Sequence, residues 1–292
     1  MREAQTTLKI GFLRHALEKL PTRSARFLVI TGMAIVVLFI FLTLAPFVSP
    51  YDPTETVGPP YFPPGLQFLM GTDNHGRDVL SRMIWGTRIA LSIALFSTVL
   101  SATIGIPVGL FSGYFGGKTD RILSLAMDSI YAFPGIILAI AVTTMLGRGI
   151  MNVALAIAVV YVPTYFRVVR SDVLSTKEKL YVEAARALGA SSYTILSRYI
   201  LFNVIPSASV IFSLNIADAI LTEAGLSYLA MGPVEPPTPD WGYDLWTGQK
   251  FLLAGAWWLI TFPGLMIVLV ALGFSMLGDG LDEILNPKLR ER

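Results

Sequence analysis

The sequence predicts an all-α integral membrane protein with six transmembrane helices, and three observations lead there. Hydrophobic residues make up 54% of the 292-residue chain, and charged residues only 14%, where soluble domains carry about a quarter. Uncharged runs of 18 residues or more recur along the chain. Basic residues cluster in alternate connections between those runs. A helix needs about 20 mostly apolar residues to cross hydrocarbon, which gives the backbone no hydrogen-bond partners.

Taken in order, residues 1–26 form a polar tail holding Arg2, Lys9, Arg14, Lys19, Arg23 and Arg26. The first span, 27–48, lies in the 25 uncharged residues between Arg26 and Asp52. It is too long for the apolar stretch of a cleavable signal and reads as a permanent anchor. Residues 49–85 form an external segment rich in proline (Pro50, Pro53, Pro59, Pro60, Pro63, Pro64). The core, 86–280, holds the other five spans. Arg88 and Lys118 bracket 29 uncharged residues, Asp128 and Arg148 bracket 19, and Arg148 and Arg167 bracket 18. Arg198 and Asp218 bracket 19, in a run that continues to about Ala230, and Lys250 and Asp279 bracket 28. Residues 281–292 form a second tail. Gly232 to Gln249, with four prolines, is predicted to be an external loop.

Orientation follows from the basic residues, which are retained on the cytoplasmic side. With both termini inside, 17 of the 22 Lys and Arg are cytoplasmic; Arg77, Arg82, Arg88, Arg148 and Lys250 are outside. The expected location is therefore the cell membrane, multi-pass. A net charge of +2 leaves no nucleic-acid footprint. The absence of cysteine excludes disulfides and Cys-based metal or thiol chemistry.

The connection from Arg167 to about Phe202 is not loop-like. Tyr181, Val182, Ala184, Ala185, Leu188 and Ile195 recur at helical spacing, with Glu178, Lys179, Glu183 and Arg186 among them. Gly189 suits a left-handed helix end, and Ser191 or Ser192 suits the cap of the next helix. The pattern describes an amphipathic helix near 180–190 on the cytoplasmic face, then a glycine corner. The small pair Ala184 and Ala185 permits close approach by another surface; an interfacial helix resting on headgroups has the same pattern.

Glu183-Ala184-Ala185-Arg186-Ala187-Leu188-Gly189 resembles the EAA loop of ABC-importer permeases. Gly71-Thr72-Asp73-Asn74-His75-Gly76-Arg77-Asp78-Val79-Leu80-Ser81-Arg82 is similar to a signature of the oligopeptide/dipeptide permease family, C-type subunit. So are Glu223-Ala224-Gly225-Leu226-Ser227, Pro236-Pro237-Thr238-Pro239-Asp240-Trp241-Gly242 and Leu277-Gly278-Asp279-Gly280-Leu281. One departure stands out: Phe202 occupies a place where the family commonly has proline, while Pro206 is kept.

The resemblance implies a type I importer permease fold and a non-catalytic subunit of an ATP-driven importer. Glu183, Ala184, Ala185, Arg186 and Gly189 would couple it to separate ATPases. The implied partners are a homologous second permease, two ATP-binding subunits and an extracytoplasmic solute-binding protein. ATP and magnesium would sit on the partners, leaving this chain without a cofactor. The implied substrate is a di- or oligopeptide; relatives with these blocks also carry oligosaccharide, nickel or other small solutes.

Intramembrane polar residues point to a path, since a charge at the bilayer centre costs at least about 2.5 kcal/mol unless it faces protein or water. Asn215, Asp218 and Thr222, at i, i+3 and i+7, share one helix face and are candidates to line a water-accessible path. Hydrogen bonding between helices is the alternative role, and the favoured one for Asp128. Glu223 lies about 100° from that face.

Gly113 to Thr119 imitates a phosphate loop but is one residue short and follows no strand, so it is expected to be a tight turn. No metal site is expected. His75 with Asp73 and Asp78 has ligand chemistry, but Asp73 or Asn74 fits better as the cap of the following helix. Pro134, Pro163 and Pro263 are expected to interrupt spans three, four and six. Gly105, Gly109 and Gly113 form a small-residue packing face. A stand-alone transporter or channel using Asp218 or Glu223 is the competing class, and it leaves the EAA-like block unexplained. An intramembrane enzyme lacks a catalytic constellation.

Overall fold

The computed structural model describes residues 23–44 and 48–285. The described residues are helical apart from loops and one isolated bridge, Thr72 to Asp78. In chain order the helices are α1 (Arg23–Thr43), α2 (Val79–Phe115), α3 (Gly117–Tyr131), α4 (Gly135–Leu146) and α5 (Ile150–Thr176). Then come α6 (Leu180–Ala187), α7 (Ser192–Tyr228), α8 (Trp241–Gly248) and α9 (Trp258–Leu285). The helices α1, α2, α5, α7 and α9 are long and apolar enough to cross a membrane.

The third predicted span differs from the others. Its place is taken by α3 and α4, which meet at 90°. Pro134 caps α4, where its missing N–H costs nothing, and the break before it forms the elbow. Pro163 and Pro263 correct the expectation: both sit inside continuous helices, α5 and α9. In a protein-lined interior, neighbouring groups can re-satisfy the carbonyl that a proline frees.

α2 begins at Val79, earlier than the charge pattern indicated. Asp78, and not Asp73 or Asn74, caps it: its carboxylate accepts from the Ser81 N–H at 2.8 Å. Asp73 instead closes the preceding turn, accepting from His75 N at 2.8 Å and Arg77 N at 2.9 Å. Further along, the expected loop 232–249 contains α8, which Asp240 caps through the Tyr243 N–H. The glycine face of α2 lies against α5. A Cβ at Gly105 would stand 2.6 Å from Tyr165 Cβ, and one at Gly113 would stand 2.8 Å from Val173 Cβ. Only glycine allows that approach. The chain then reverses at Gly116 and Gly117, both with positive φ, so the phosphate-loop imitation is a helix end and a turn.

Two apolar clusters hold the helices together. The larger joins α1, α2, α4, α5, α7, α8 and α9 around Trp241, Ile220 and Val270. The smaller joins α5, α6 and α7 through Val169, Val173, Val182, Ile195, Ile200 and Val204. This second cluster roots the short α6 in the bundle.

Candidate functional site

α6 extends from one end of the bundle, and its two faces have different fates. Val182 is fully buried in the smaller cluster, and Ala185, 6% exposed, is turned inward beside it on the same helix. Glu183, Ala184, Arg186 and Ala187 are exposed, as is Leu188 at 88%. The alanine pair is therefore split: Ala185 anchors the helix and Ala184 faces outward. Gly189 takes φ +84, and its N–H donates to the Arg186 carbonyl, closing the helix end. Ser191 caps the next helix through the Thr194 N–H at 3.2 Å. From there α7 runs without a break to Tyr228, with a π-helical turn at Ile195–Ile200 just before Phe202. Lys177 Nζ donates to the Gly113 carbonyl at 3.0 Å, tying the connection to α6 onto the end of α2.

α3 is fastened beside this end by two ion pairs to α5. Arg170 grips Asp120 with Nε and Nη2 at 2.5 and 2.6 Å, and Ser112 donates to the same carboxylate at 2.6 Å. Arg167 donates to Asp128 at 2.7 Å and lies 3.8 Å over the Tyr131 ring. Asp128 thus has the inter-helix role favoured for it.

Between the α3–α4 elbow, α5 and α7 lies a cavity of about 460 Å³. Asn215, Asp218 and Thr222 all line it, so the structure brings the three candidates together. Thr222 Oγ1 stands 2.9 Å from the Tyr161 hydroxyl, and it donates to the Asp218 carbonyl at 2.8 Å. Asp218 is exposed, while Asn215 is 3% exposed with a buried Nδ2 lacking a partner among the described residues. The opposite wall comes from residues that sequence reasoning missed: Tyr131, Phe133, Tyr161 and Thr164. Tyr161 and Thr164 are three apart on α5, a polar pair inside an apolar run, which was the available signal. Glu223 faces elsewhere. It is 1% exposed and shares the Ser227 hydroxyl with Asp240, at 3.1 and 2.8 Å.

The opposite end of the bundle carries a buried ionic clamp. Arg82, 1% exposed, reaches Asp244 of α8 with Nη2 at 2.5 Å and Nε at 3.0 Å. Its Nη1 donates to the carbonyls of Pro53 and Pro237 at 3.0 and 2.9 Å. Arg77 pairs with Asp73 at 2.6 Å. One side chain therefore ties three segments to α2: the loop at 53, the loop at 237, and α8. Burial pushes the Asp244 carboxyl above its ordinary range, against the pull of Arg82. Trp241 and Trp258 lock the same region by donating to the Met83 and Thr72 carbonyls at 3.1 and 3.0 Å.

The chain resembles known proteins over nearly all of its length. Residues 105–291 match the family described as the binding-protein-dependent transport system inner membrane component. A glutathione transport system permease protein of Pectobacterium atrosepticum is 39% identical over 269 residues, covering 90% of this chain and 87% of that protein. A di/tripeptide transport system permease protein of Pseudomonas aeruginosa is 39% identical over 267 residues, covering 89% and 88%. Since the family match covers more than half of its length, the chain belongs to the inner membrane component family of binding-protein-dependent transport systems.

Proposed function

We propose that this chain is a permease subunit of an ATP-driven importer and forms half of a translocation path with a homologous second permease. The observation that carries the reading is α6: an exposed face bearing Glu183, Ala184, Arg186 and Leu188, and a buried face on which Val182 is rooted in the cluster that joins α5 to α7. A helix placed that way hands a push to two spanning helices at once. One of two separate ATP-binding subunits docks on it, and ATP and magnesium are held on those subunits; this chain hydrolyses nothing. The α6 end is cytoplasmic, in line with the 17 of 22 basic residues assigned to that side. The α8 end then faces an extracytoplasmic solute-binding protein.

The cargo is a di- or oligopeptide. Support comes from relatives named for glutathione, itself a tripeptide, and for di- and tripeptides. The cavity holding Asn215, Asp218 and Thr222 lies along the path, and motion of the α3–α4 elbow against α5 and α7 changes its access. The test is reconstitution with the partner subunits and Ala184→Arg, which puts bulk on the outward face and leaves the buried one intact. The variant should reach the membrane at normal levels, fail to retain ATP-binding chains on purification, and lose uptake. Normal uptake with Ala184→Arg, or ATP-independent uptake by the chain alone, would overturn the reading.

A further inference from the structure

A second hollow, of about 480 Å³, opens between α5, α7 and α9 toward the α6 end. That volume is within the roughly 300–1,000 Å³ range of small-molecule sites. Its wall carries both signs of charge: Asp172 and Asp282 on one hand, Lys179 on the other, with Asn203 and Ser207 between. Asp172 is the anomalous group. Its Oδ2 is buried and has no hydrogen-bond partner among the described residues. A carboxylate oxygen out of water without a donor is costly, so it is a natural acceptor for a donor brought by a ligand.

Helical register places this hollow on the strip that lines the first one. Asp172 follows Tyr161 on α5 by eleven residues, and Ser207 precedes Asp218 on α7 by eleven. Eleven residues are close to three whole turns, about 16 Å along the axis, so each pair shares a helix face. Tyr161 meets Thr222 and Asp172 lies beside Ser207, which shows the two helices running antiparallel with the strips in line. The two hollows are thus successive stations along one groove.

We propose that the second hollow is a release-side binding station for a zwitterion: Asp172 receives the α-ammonium of a peptide and Lys179 its terminal carboxylate. This rests on the peptide-import reading and deepens it. A neutral sugar would bring no charge to either Asp172 or Lys179. A bare metal ion would use the carboxylates and gain nothing from Lys179.

The absence of cysteine makes the test direct. In the assembled importer, Ser175→Cys places one thiol on the wall of the hollow, open to a charged maleimide from the α6 side. Millimolar trialanine should slow labelling at least fivefold, whereas N-acetyl-trialanine amide, with both charges blocked, should slow it by less than half. Adding Asp172→Asn should remove the protection, measured against that variant's own peptide-free rate, while Asp172→Glu should restore it. Equal protection by the blocked peptide, or no protection by trialanine, overturns the station, and this comparison needs no charge variant. Protection that survives Asp172→Asn overturns it as well. The parent reading has its own readout: ATP-driven uptake of trialanine with the binding protein present. If uptake proceeds while labelling ignores the peptide, the station alone falls; if uptake fails, both fall.

Discussion

Replacing Arg82 with methionine keeps much of its volume and removes its charge, which isolates what the clamp contributes. The variant leaves Asp244 inside the protein without the Arg82 counter-ion and the Pro53 carbonyl short of a donor, while the Pro237 carbonyl keeps only Arg77 at 3.3 Å. Breaking one side of a buried ion pair costs about 3–5 kcal/mol. A second route to the figure gives a ceiling. The carboxyl can escape by folding protonated, and protonating an aspartate of ordinary pKa at pH 7 costs about 4 kcal/mol, at 1.36 kcal/mol per unit. At pH 5 the same step costs about 1.5 kcal/mol. The sign follows. With Arg82 gone, the folded-state pKa of Asp244 rises further above its unfolded value, so stability is retained in acid and lost as the pH increases. Arg82→Met should therefore lower stability by about 3–4 kcal/mol at pH 7 and by about 2 kcal/mol less at pH 5. Unfolding in mixed detergent–SDS micelles at the two pH values measures this, with Arg82→Met/Asp244→Asn as the partner variant. The double variant should recover part of the loss and show a flat pH response. A pH-independent deficit, or one below about 1 kcal/mol, would refute the clamp as the organiser of that end.

Gly105→Val should lower stability by about 1–3 kcal/mol or more, because its Cβ would meet Tyr165 Cβ at 2.6 Å and the Val162 carbonyl at 2.8 Å; unchanged unfolding would contradict the α2–α5 contact. Gly189→Val forces a β-branched residue to φ +84 at a strain of about 1–2 kcal/mol, with open space around the new Cβ. It should cut ATP-coupled uptake at least tenfold at normal membrane abundance, and full uptake would count against the coupling role. Cysteines at 215 and 218 should differ in reactivity toward hydrophilic thiol reagents: the exposed 218 should label readily and the buried 215 only during turnover. Protection of both throughout turnover would remove them from the path. Glu223→Gln should stay within about 1 kcal/mol of the parent stability, because an amide can replace a carboxyl beside Ser227 and Asp240 without burying a second negative charge. A large loss would show that the negative charge itself is needed there.

The spanning helices were legible because hydrocarbon demands long apolar runs and charges mark their ends. α6 was legible too, since Val182, Ala185 and Gly189 follow the helical period and its stop signal. What escaped depended on contacts distant in sequence. Arg82 and Asp244 meet across 162 positions, and nothing local distinguishes Arg82 from an external arginine in water. α8 was hidden because four prolines precede it and its eight residues are too few for a clear period. Pro163 and Pro263 misled for the opposite reason: proline breaks a helix in water but is tolerated where neighbours supply the missing partners. In the cavity, the polar strip on α7 was readable from Asn215, Asp218 and Thr222. Its facing wall was not, since Tyr161 and Tyr131 sit in apolar runs where tyrosine is ordinary packing.

The continuity of α7 has a mechanical consequence. Its 37 residues make a rod about 55 Å long, since each residue adds 1.5 Å. A swing of only 5° about one tip would displace the other by about 5 Å, one helical pitch, with no backbone hydrogen bond broken. Compliance concentrates where the winding is least regular, at the π turn over Ile195–Ile200, directly above the footing of α6. A beam with its pivot at the foot amplifies whatever small tilt is delivered there into a large stroke at the far rim.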